Sequence, residues 1–319
     1  GFYYKTFMWP RSFWKHVYEP IIRQSAGLGK VPTDRDADRY EQAYAFADVA
    51  VVGAGIAGLT AALGAAKAGK RVIVLEMTPA CGGRAVVDGI TIDGQGADAW
   101  VAAAVEALRG MDNVTLMTRT MATGLYDHGY LMAAERIADH TPGDGRPKQR
   151  LWRIRAGEVI TATGAIERTL SFAGNDIPGV MLAAAVRDYV VNYGVSIGDR
   201  TVIVTNNDDA YRTALALLDA GLRVPAVIDA RANVTGALAQ AVRDRGIRVL
   251  AGHGVAKVHG GKRVTGVAIC AQAGEGAMIE EIACDCVAMS GGWSPVVHLW
   301  SHCGGKLNWD ETSAMFRPD

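Results

Sequence analysis

The feature that most constrains this chain is a glycine turn set between an apolar strand-like run and a helix of small residues. Residues 49–66, VAVVGAGIAGLTAALGAA, carry no charge, and within them Gly53-Ala-Gly55-Ile-Ala-Gly58 matches G-x-G-x-x-G. ADVAVVG before the turn reads as a strand, LTAALGAAKAG after it as a helix closed by Gly69, and RVIVLE as a second strand. A βαβ unit of this kind holds a dinucleotide. Gly53 permits the tight turn, Gly55 lets a pyrophosphate approach the backbone, and Gly58 lets helix and strand pack closely. The phosphates then sit at the helix N-terminus, where unpaired N–H groups and the positive dipole end favour anions. Glu76 ends the second strand 18 residues beyond Gly58, close to the roughly 20 expected for a ribose-binding acid. Its carboxylate accepts from a ribose 2′-OH and repels a 2′-phosphate, which favours NAD or FAD over NADP.

A charge-free run of that length also raises the question of a membrane span. Gly53, Gly55, Gly58 and Gly64 argue against one, and a buried strand followed by a buried helix explains the same residues. No membrane partner is expected. Lys+Arg and Asp+Glu are equal at 33 each, which excludes the basic excess that a nucleic-acid partner would require. The five cysteines are odd in number and lack any CxxC spacing, so neither a disulfide framework nor a redox dithiol is expected. Cys284-x-Cys286 reads as two residues on one face of a strand. His298-x-x-x-His302 has a spacing that sets two metal ligands on one helical face. It lacks the acidic partner of HExxH, so packed or surface histidines are the reading and no metal is assigned. There is no nucleophile elbow, paired general acid and base, or P-loop, and no catalytic residue is assigned.

At 319 residues the chain is long enough for two domains. Residues 1–45 form an aromatic arm and linker, with Phe2, Tyr3, Tyr4, Phe7, Trp9, Phe13, Trp14 and Tyr18 close together and a polar stretch at 31–41. The arm packs on a partner surface or on its own domain. The chain opens on Gly1 and shows neither an apolar signal core nor an A-x-A site, so a cut end rather than a signal peptide is expected.

Residues 46–190 form the dinucleotide-binding domain, in which RLWRIRAGEVITATGA reads as antiparallel strands returning to the sheet. Residues 191–285 repeat the strand-helix pattern through RTVIVT, DDAYRTALALLDAG, LRVPAVIDA and VTGALAQAVRDRGIRVLAG. GGKRVTGVAICA reads as a hairpin, and MIEEIACDCVAMSGG as a strand leading back to the first domain, whose return begins over 286–319. The expected fold is α/β and Rossmann-like in three layers: the two-dinucleotide-domain fold of flavin and pyridine-nucleotide reductases, with the second nucleotide-type domain inserted in the first.

Three further segments bear on a site. In Cys81-Gly82-Gly83-Arg84, the glycines allow another close approach to a diphosphate and Arg84 adds charge; the alternative is an ordinary turn with a solvated arginine. Thr163-Gly164, at a strand end, resembles the ATG turn of flavin-reductase-like folds and serves either a ligand or the passage between domains. The second domain has Thr205-Asn-Asn-Asp208-Asp209 where a second glycine fingerprint should stand, which blocks close approach; Asp208 reads as the cap of its own helix.

The strings GFYYKTFMWP, VYEPIIRQSAGLG, DRYEQAYAFADV, VVGAGIAGL, LYDHGY, RLWRIRA, NDIPGVMLA, TNNDDAYRTAL and AMSGGWSPVVHLWSHCGGKLNWDE resemble the alpha-subunit family of heterotetrameric sarcosine oxidases over essentially the whole chain. The resemblance implies a bacterial, cytoplasmic complex with beta, gamma and delta subunits. That complex demethylates sarcosine oxidatively to glycine, with hydrogen peroxide formed and a one-carbon unit passed to tetrahydrofolate. It further implies NAD in the alpha subunit, FAD in beta, and FMN between the two. Carried over by motif, the NAD contacts fall on Gly53, Gly55, Ile56, Ala57 and Gly58, on Glu76, Met77 and Thr78, on Gly82, Gly83 and Arg84, and on the backbone near Ala122. The family often has an acidic pair near Glu76, and here Met77 and Thr78 follow it, so ribose selectivity rests on Glu76. The resemblance also implies a ferredoxin-like domain before this chain and a folate-binding domain after it. A fragment without these is expected to be inactive alone.

Two other functions compete with this one. One is a free-standing flavoprotein reductase with FAD in the first site and a pyridine nucleotide in the second. The other is a degenerate interaction module in which the glycine turn only builds the fold.

Overall fold

The computed structural model describes residues 9–141, 143–272 and 277–319, and the chain divides into two compact units, residues 1–39 and 40–319. In the smaller unit a helical run passes from Arg11–Phe13 through a π-helical turn, Trp14–Tyr18, to Glu19–Ser25. The Phe13 and Tyr18 rings lie 6.2 Å apart, and Tyr18 donates to the Trp9 carbonyl. The expected packing of Phe2, Tyr3, Tyr4 and Phe7 lies outside the described residues.

The larger unit opens with β1 (Tyr40–Val52), α1 (Ile56–Lys67) and β2 (Val72–Leu75). Gly58, Ala62 and Ala66 are buried along one side of α1, and residues this small let the helix lie close against the sheet. Next come α2 (Arg84–Val87), α3 (Ala97–Arg109), β3 (Val114–Met117), β4 (Thr120–Tyr126), β5 (Tyr130–Arg136) and β6 (Gln149–Thr161). Their sheet has the order β3-β2-β1-β6-β5-β4. RLWRIRAGEVIT is therefore one strand, not several, parallel to β1 on one side and antiparallel to β5 on the other.

The side-chain alternation of β1 changes phase at Asp48. The amides of Asp48 and Val49 both donate to the Arg71 carbonyl, a bulge-like irregularity. Beyond it Val49 and Val51 pack with α1 and α3, through Leu59, Ala62 and Leu108. Ala47, Ala50 and Val52 face the other core, with Leu131 and Ile154.

The chain then passes through β7 (Ala165–Glu167) to β8 (Val180–Leu182), α4 (Ala183–Tyr193), β9 (Thr201–Thr205), α5 (Ala210–Asp219), β10 (Ala226–Asp229), α6 (Ala237–Asp244) and β11 (Arg248–Ala251). An antiparallel sheet of β12 (His253–Gly260), β13 (Val264–Ala271) and β14 (Met278–Ala283) follows. Then come β15 (Cys286–Ser290), β16 (Trp293–Pro295), α7 (His298–His302), β17 (Leu307–Asp310) and β18 (Met315–Pro318).

The second parallel sheet has the order β8-β15-β9-β10-β11. Its membership departs from the expected ranges. Val180–Leu182 joins it from inside 46–190, and Cys286–Ser290 sits between β8 and β9 instead of leading back to the first sheet. The crossing back is made by β16, which pairs antiparallel with β7. The first strand likewise starts at Tyr40, within the stretch assigned to the arm and linker. Cys284 and Cys286 do not share a face either. Cys284 packs with Val202 and Val287, and Cys286 with Ile203 and Ala288, on opposite sides of this sheet. No described helix is long and apolar enough to cross a membrane.

Candidate functional site

The carboxyl ends of β1 and β6 lie side by side and form the floor of the site. Gly53 has φ 97°, and a Cβ built on it would stand 2.3 Å from the Ala162 carbonyl oxygen. A Cβ on Gly58 would fall 1.8 Å from the Gly53 carbonyl oxygen. These two glycines are fixed by the protein's own backbone. Gly55 differs, because a Cβ there would meet nothing within 4 Å. The open space lies beside the first turn of α1, whose first intrahelical bond runs from the Leu59 amide to the Gly55 carbonyl at 2.9 Å. The amides of Ala57 and Gly58 therefore have no acceptor within the helix, and this cradle fits a diphosphate.

The segment after β2 closes on the same turn. Gly82 donates to the Ala54 carbonyl at 2.7 Å, and a Cβ on Gly83 (φ 55°) would lie 3.2 Å from the Gly55 Cα. Glu76 is 6% exposed. One carboxylate oxygen accepts the Ala54 amide at 2.9 Å, and the other accepts the Thr78 amide and hydroxyl, each at 2.8 Å. Met77 is exposed, and its carbonyl accepts from Arg136 at 2.8 Å. Ala122 stands on β4 at a register shift opposite β5. Two residues earlier the Thr120 amide donates to the Glu76 carbonyl at 2.8 Å, which ties that strand to the end of β2. Gly53, Gly55, Ile56, Ala57, Gly58, Glu76, Thr78, Gly82 and Gly83 are thus joined around one turn, while Met77 follows Glu76 in the chain and Ala122 lies two residues beyond the strand's tie to it at Thr120.

Arg84 is engaged by side chains of its own chain. Its guanidinium donates to Asp188 at 3.0 Å and Asp88 at 3.1 Å, and stacks over the Trp293 ring at 5.4 Å. Burial works against its charge, but Asp188 and Asp88 outweigh it and hold the guanidinium more firmly protonated than usual. The phosphate-facing arginine expected at this position is, in this structure, a link between α2 and α4. Arg187, 1% exposed, continues the link to Asp88 at 2.9 Å and Asp209 at 3.0 Å. Of these partners only Asp88 was legible in sequence, through its i,i+4 spacing from Arg84; the others meet by tertiary packing. Thr163 and Gly164 are tied to the returning segment: the Thr163 hydroxyl donates to the Val296 carbonyl at 2.6 Å, and the Val296 amide to the Gly164 carbonyl at 3.0 Å.

At the corresponding corner of the second sheet the side chains pair with one another. Asp229, fully buried at the end of β10, accepts from the Tyr211 hydroxyl at 2.8 Å and from the Arg231 guanidinium at 2.7 Å. Burial and that carboxylate raise the Tyr211 phenol above its usual range. Asp208 does not cap α5. The cap position is Asp209, without a side-chain capping bond, and Asp208 pairs with Arg231 at 2.7 Å. Asn207 spans the crevice to β15, donating to the Ser290 hydroxyl at 3.0 Å. His298 and His302 stand on α7, His302 beside the Tyr126 ring. No group of three or more metal-ligating side chains occurs among the described residues.

Comparison with known proteins bears on the whole of this arrangement. A protein-family model described as pyridine nucleotide-disulphide oxidoreductase matches residues 47–314. Sarcosine oxidase subunit alpha of Rhizobium meliloti (strain 1021) is 43% identical over 319 residues, which are 99% of this chain and 31% of that protein. Sarcosine oxidase subunit alpha of Corynebacterium sp. (strain P-1) is 41% identical over 301 residues, 92% of this chain and 31% of that protein. The chain thus spans less than a third of the length of these curated relatives. Among solved structures, L-proline dehydrogenase from P. horikoshii superposes with a TM-score of 0.64 at 22% identity, covering 90% of this chain and 49% of that one. At that identity the likeness is one of fold.

Proposed function

The chain belongs to the pyridine nucleotide-disulphide oxidoreductase family, and from that premise we propose that it is the NAD-binding scaffold part of the alpha subunit of a cytoplasmic, sarcosine-oxidising complex. The observation that carries this reading is the pair of opposed corners: an open cradle at Gly55 in the first sheet, and a corner closed by Arg231, Asp229 and Tyr211 in the second. These two corners favour one dinucleotide over two. Gly53, Gly55 and Gly58 would hold the diphosphate with Ile56 and Ala57, Gly82 and Gly83 would wall it, and Glu76, Met77, Thr78 and Ala122 would frame the adenosine. A nicotinamide dinucleotide supplies hydride chemistry when bound. The residues of this chain orient and enclose it, and no catalytic role is assigned to them. The identity to two sarcosine oxidase alpha subunits supports a substrate class of N-methyl amino acids, with amine oxidation, peroxide formation and one-carbon transfer to tetrahydrofolate carried out around FAD, FMN and folate sites elsewhere in the complex with beta, gamma and delta subunits.

The test is to purify the subunit at its natural length, denature it by heat and identify the released small molecule by absorbance and mass. About one NAD per chain is the expected result. Release of FAD would replace this reading with a free-standing flavoprotein reductase, and release of nothing would leave an interaction module.

A further inference from the structure

Above the phase change at Asp48 the sheet extends beyond its helices. Below it, the side of β1 that carries Val49 and Val51 is covered by α1 and α3. Above it, the same side of the sheet carries Tyr44 and Phe46, which are 66% and 65% exposed. Register continues both positions across the strands. Tyr44 stands beside Arg153 and Met132, and Phe46 beside Arg155 and Tyr130, with Tyr126 next in line. The Arg153 guanidinium lies over the Tyr44 ring at 5.5 Å and donates to its hydroxyl at 2.7 Å, while Arg155 lies over Tyr130 at 4.8 Å. No carboxylate occurs in the register rows of Gln42, Tyr44 and Phe46 on this side. Glu41 and Glu135 project from the other side, where Arg150 pairs with both; the remaining acids of these strands, Asp48 at the phase change and Glu158 beside Val49, lie past these rows, toward the helices.

We infer that this aromatic and arginine face is a docking surface for a companion subunit that presents carboxylates among apolar side chains; the inference rests on the assignment of the chain to a multi-subunit complex. Contiguous exposed apolar surface marks interaction sites, and Tyr, Phe, Met and Arg are the residue types enriched at them. Charge selects the occupant. A second copy would set Arg153 and Arg155 against arginines of the same face. A nucleic acid would call for a basic excess that a chain with 33 cationic and 33 anionic residues lacks. An acidic protein surface complements both arginines while burying Tyr44 and Phe46.

The experiment co-expresses the natural-length subunit with its companion subunits and measures the assembled fraction by size exclusion with light scattering. It compares wild type with Arg153→Glu/Arg155→Glu and with Tyr44→Ser/Phe46→Ser, and takes melting temperature and dinucleotide content as controls for folding. A photo-crosslinking benzoylphenylalanine is placed at position 46 and, as a control, at Met278 on the antiparallel sheet, which is 59% exposed. The expected result is at least a tenfold loss of assembly in both double variants with the controls unchanged, and a crosslink to a companion subunit from position 46 but not from 278. Variants that assemble as wild type does, with no crosslink at 46, would overturn the docking face and leave the assignment to the complex standing. If a variant fails to fold, the crosslink alone decides. A crosslink from 46 to a second copy, or tight binding of a labelled oligonucleotide that Arg153→Glu/Arg155→Glu abolishes, would also overturn it. If wild type does not assemble with the companion subunits at all, the assignment itself fails and the docking face with it.

Discussion

Glu76 and Ala54 are joined by a hydrogen bond of 2.9 Å from the Ala54 amide to the buried carboxylate, so this acid staples the glycine turn to the end of β2. Glu76→Gln leaves one of the two amides, of Ala54 or Thr78, facing an NH2 group. An unmet buried donor costs about 1–3 kcal/mol. The expected outcome is a lower urea midpoint together with at least tenfold weaker NAD binding by calorimetry. A variant that kept both would show that the carboxylate serves neither.

The three glycines of the turn separate by what a side chain would strike. Gly55→Val enters open space and should leave the melting temperature within a few degrees while abolishing dinucleotide binding. Gly58→Val would strike the Gly53 carbonyl and should prevent folding. Circular dichroism melts beside NAD titrations of the two variants check this; a folded Gly58→Val protein would contradict it.

Arg187 holds two carboxylates in a nearly dry setting. Arg187→Met removes the cation that Asp88 and Asp209 share, while Asp88 keeps Arg84 at 3.1 Å and Asp209 keeps Arg212 at 3.5 Å, so the loss should fall below the roughly 3–5 kcal/mol that a buried charge left wholly unpaired costs. Urea unfolding should show that loss, and adding Asp88→Asn and Asp209→Asn should recover part of it. No recovery would mean that packing of the arginine stem, rather than charge, carries the effect.

Glu167 predicts a pH dependence. Its carboxylate accepts the Ala184 amide at 2.8 Å at the start of α4, and burial, with the field of Asp209 added, raises its carboxyl above the ordinary 4.5. The folded chain then holds this proton more tightly than the unfolded chain does. Its contribution is present in full below about pH 4.5 and is lost as pH rises through the raised value. The stability of Glu167→Gln relative to wild type should therefore grow as pH rises from 4.5, at no more than about 1.4 kcal/mol per pH unit. Urea denaturation at a series of pH values measures it, and a flat difference would refute it.

Thiol accessibility gives a further check. Burial pushes the Cys284 thiol up to about 12 and the Cys286 thiol up to about 11, and Cys303 is exposed. At pH 8 a disulfide reagent should modify Cys303 rapidly, and Cys284 and Cys286 only after unfolding. Peptide mapping identifies the sites, and fast labelling of Cys286 would place the β15 strand wrongly in the core.

Local pattern carried much of the architecture. The strand, glycine turn and helix at 47–69 were legible because each choice there is dictated within a few residues: a φ that glycine tolerates, small side chains where a helix meets a sheet, and alternating or continuous apolar runs. The repeat of that pattern over 200–251 was legible for the same reason. Sheet membership was not. Val180–Leu182 and Cys286–Ser290 lie more than a hundred residues apart and become neighbours only through pairing, which no local periodicity encodes. Asp48 and Gly157 likewise gave no warning that the alternation changes phase along β1.

The sequence by itself determined that a tight glycine turn would form between strand and helix, because a positive φ at Gly53 and the close approach at Gly58 exclude a side chain there, whereas the space beside Gly55 is open. Only the tertiary structure decided what the charged residues do. Arg84 and Asp208 were read as a phosphate partner and a helix cap, yet they pair with Asp88 and Asp188 and with Arg231. A long or flexible charged side chain takes the nearest opposite charge that folding brings within reach, and which charge that is depends on how the whole chain packs.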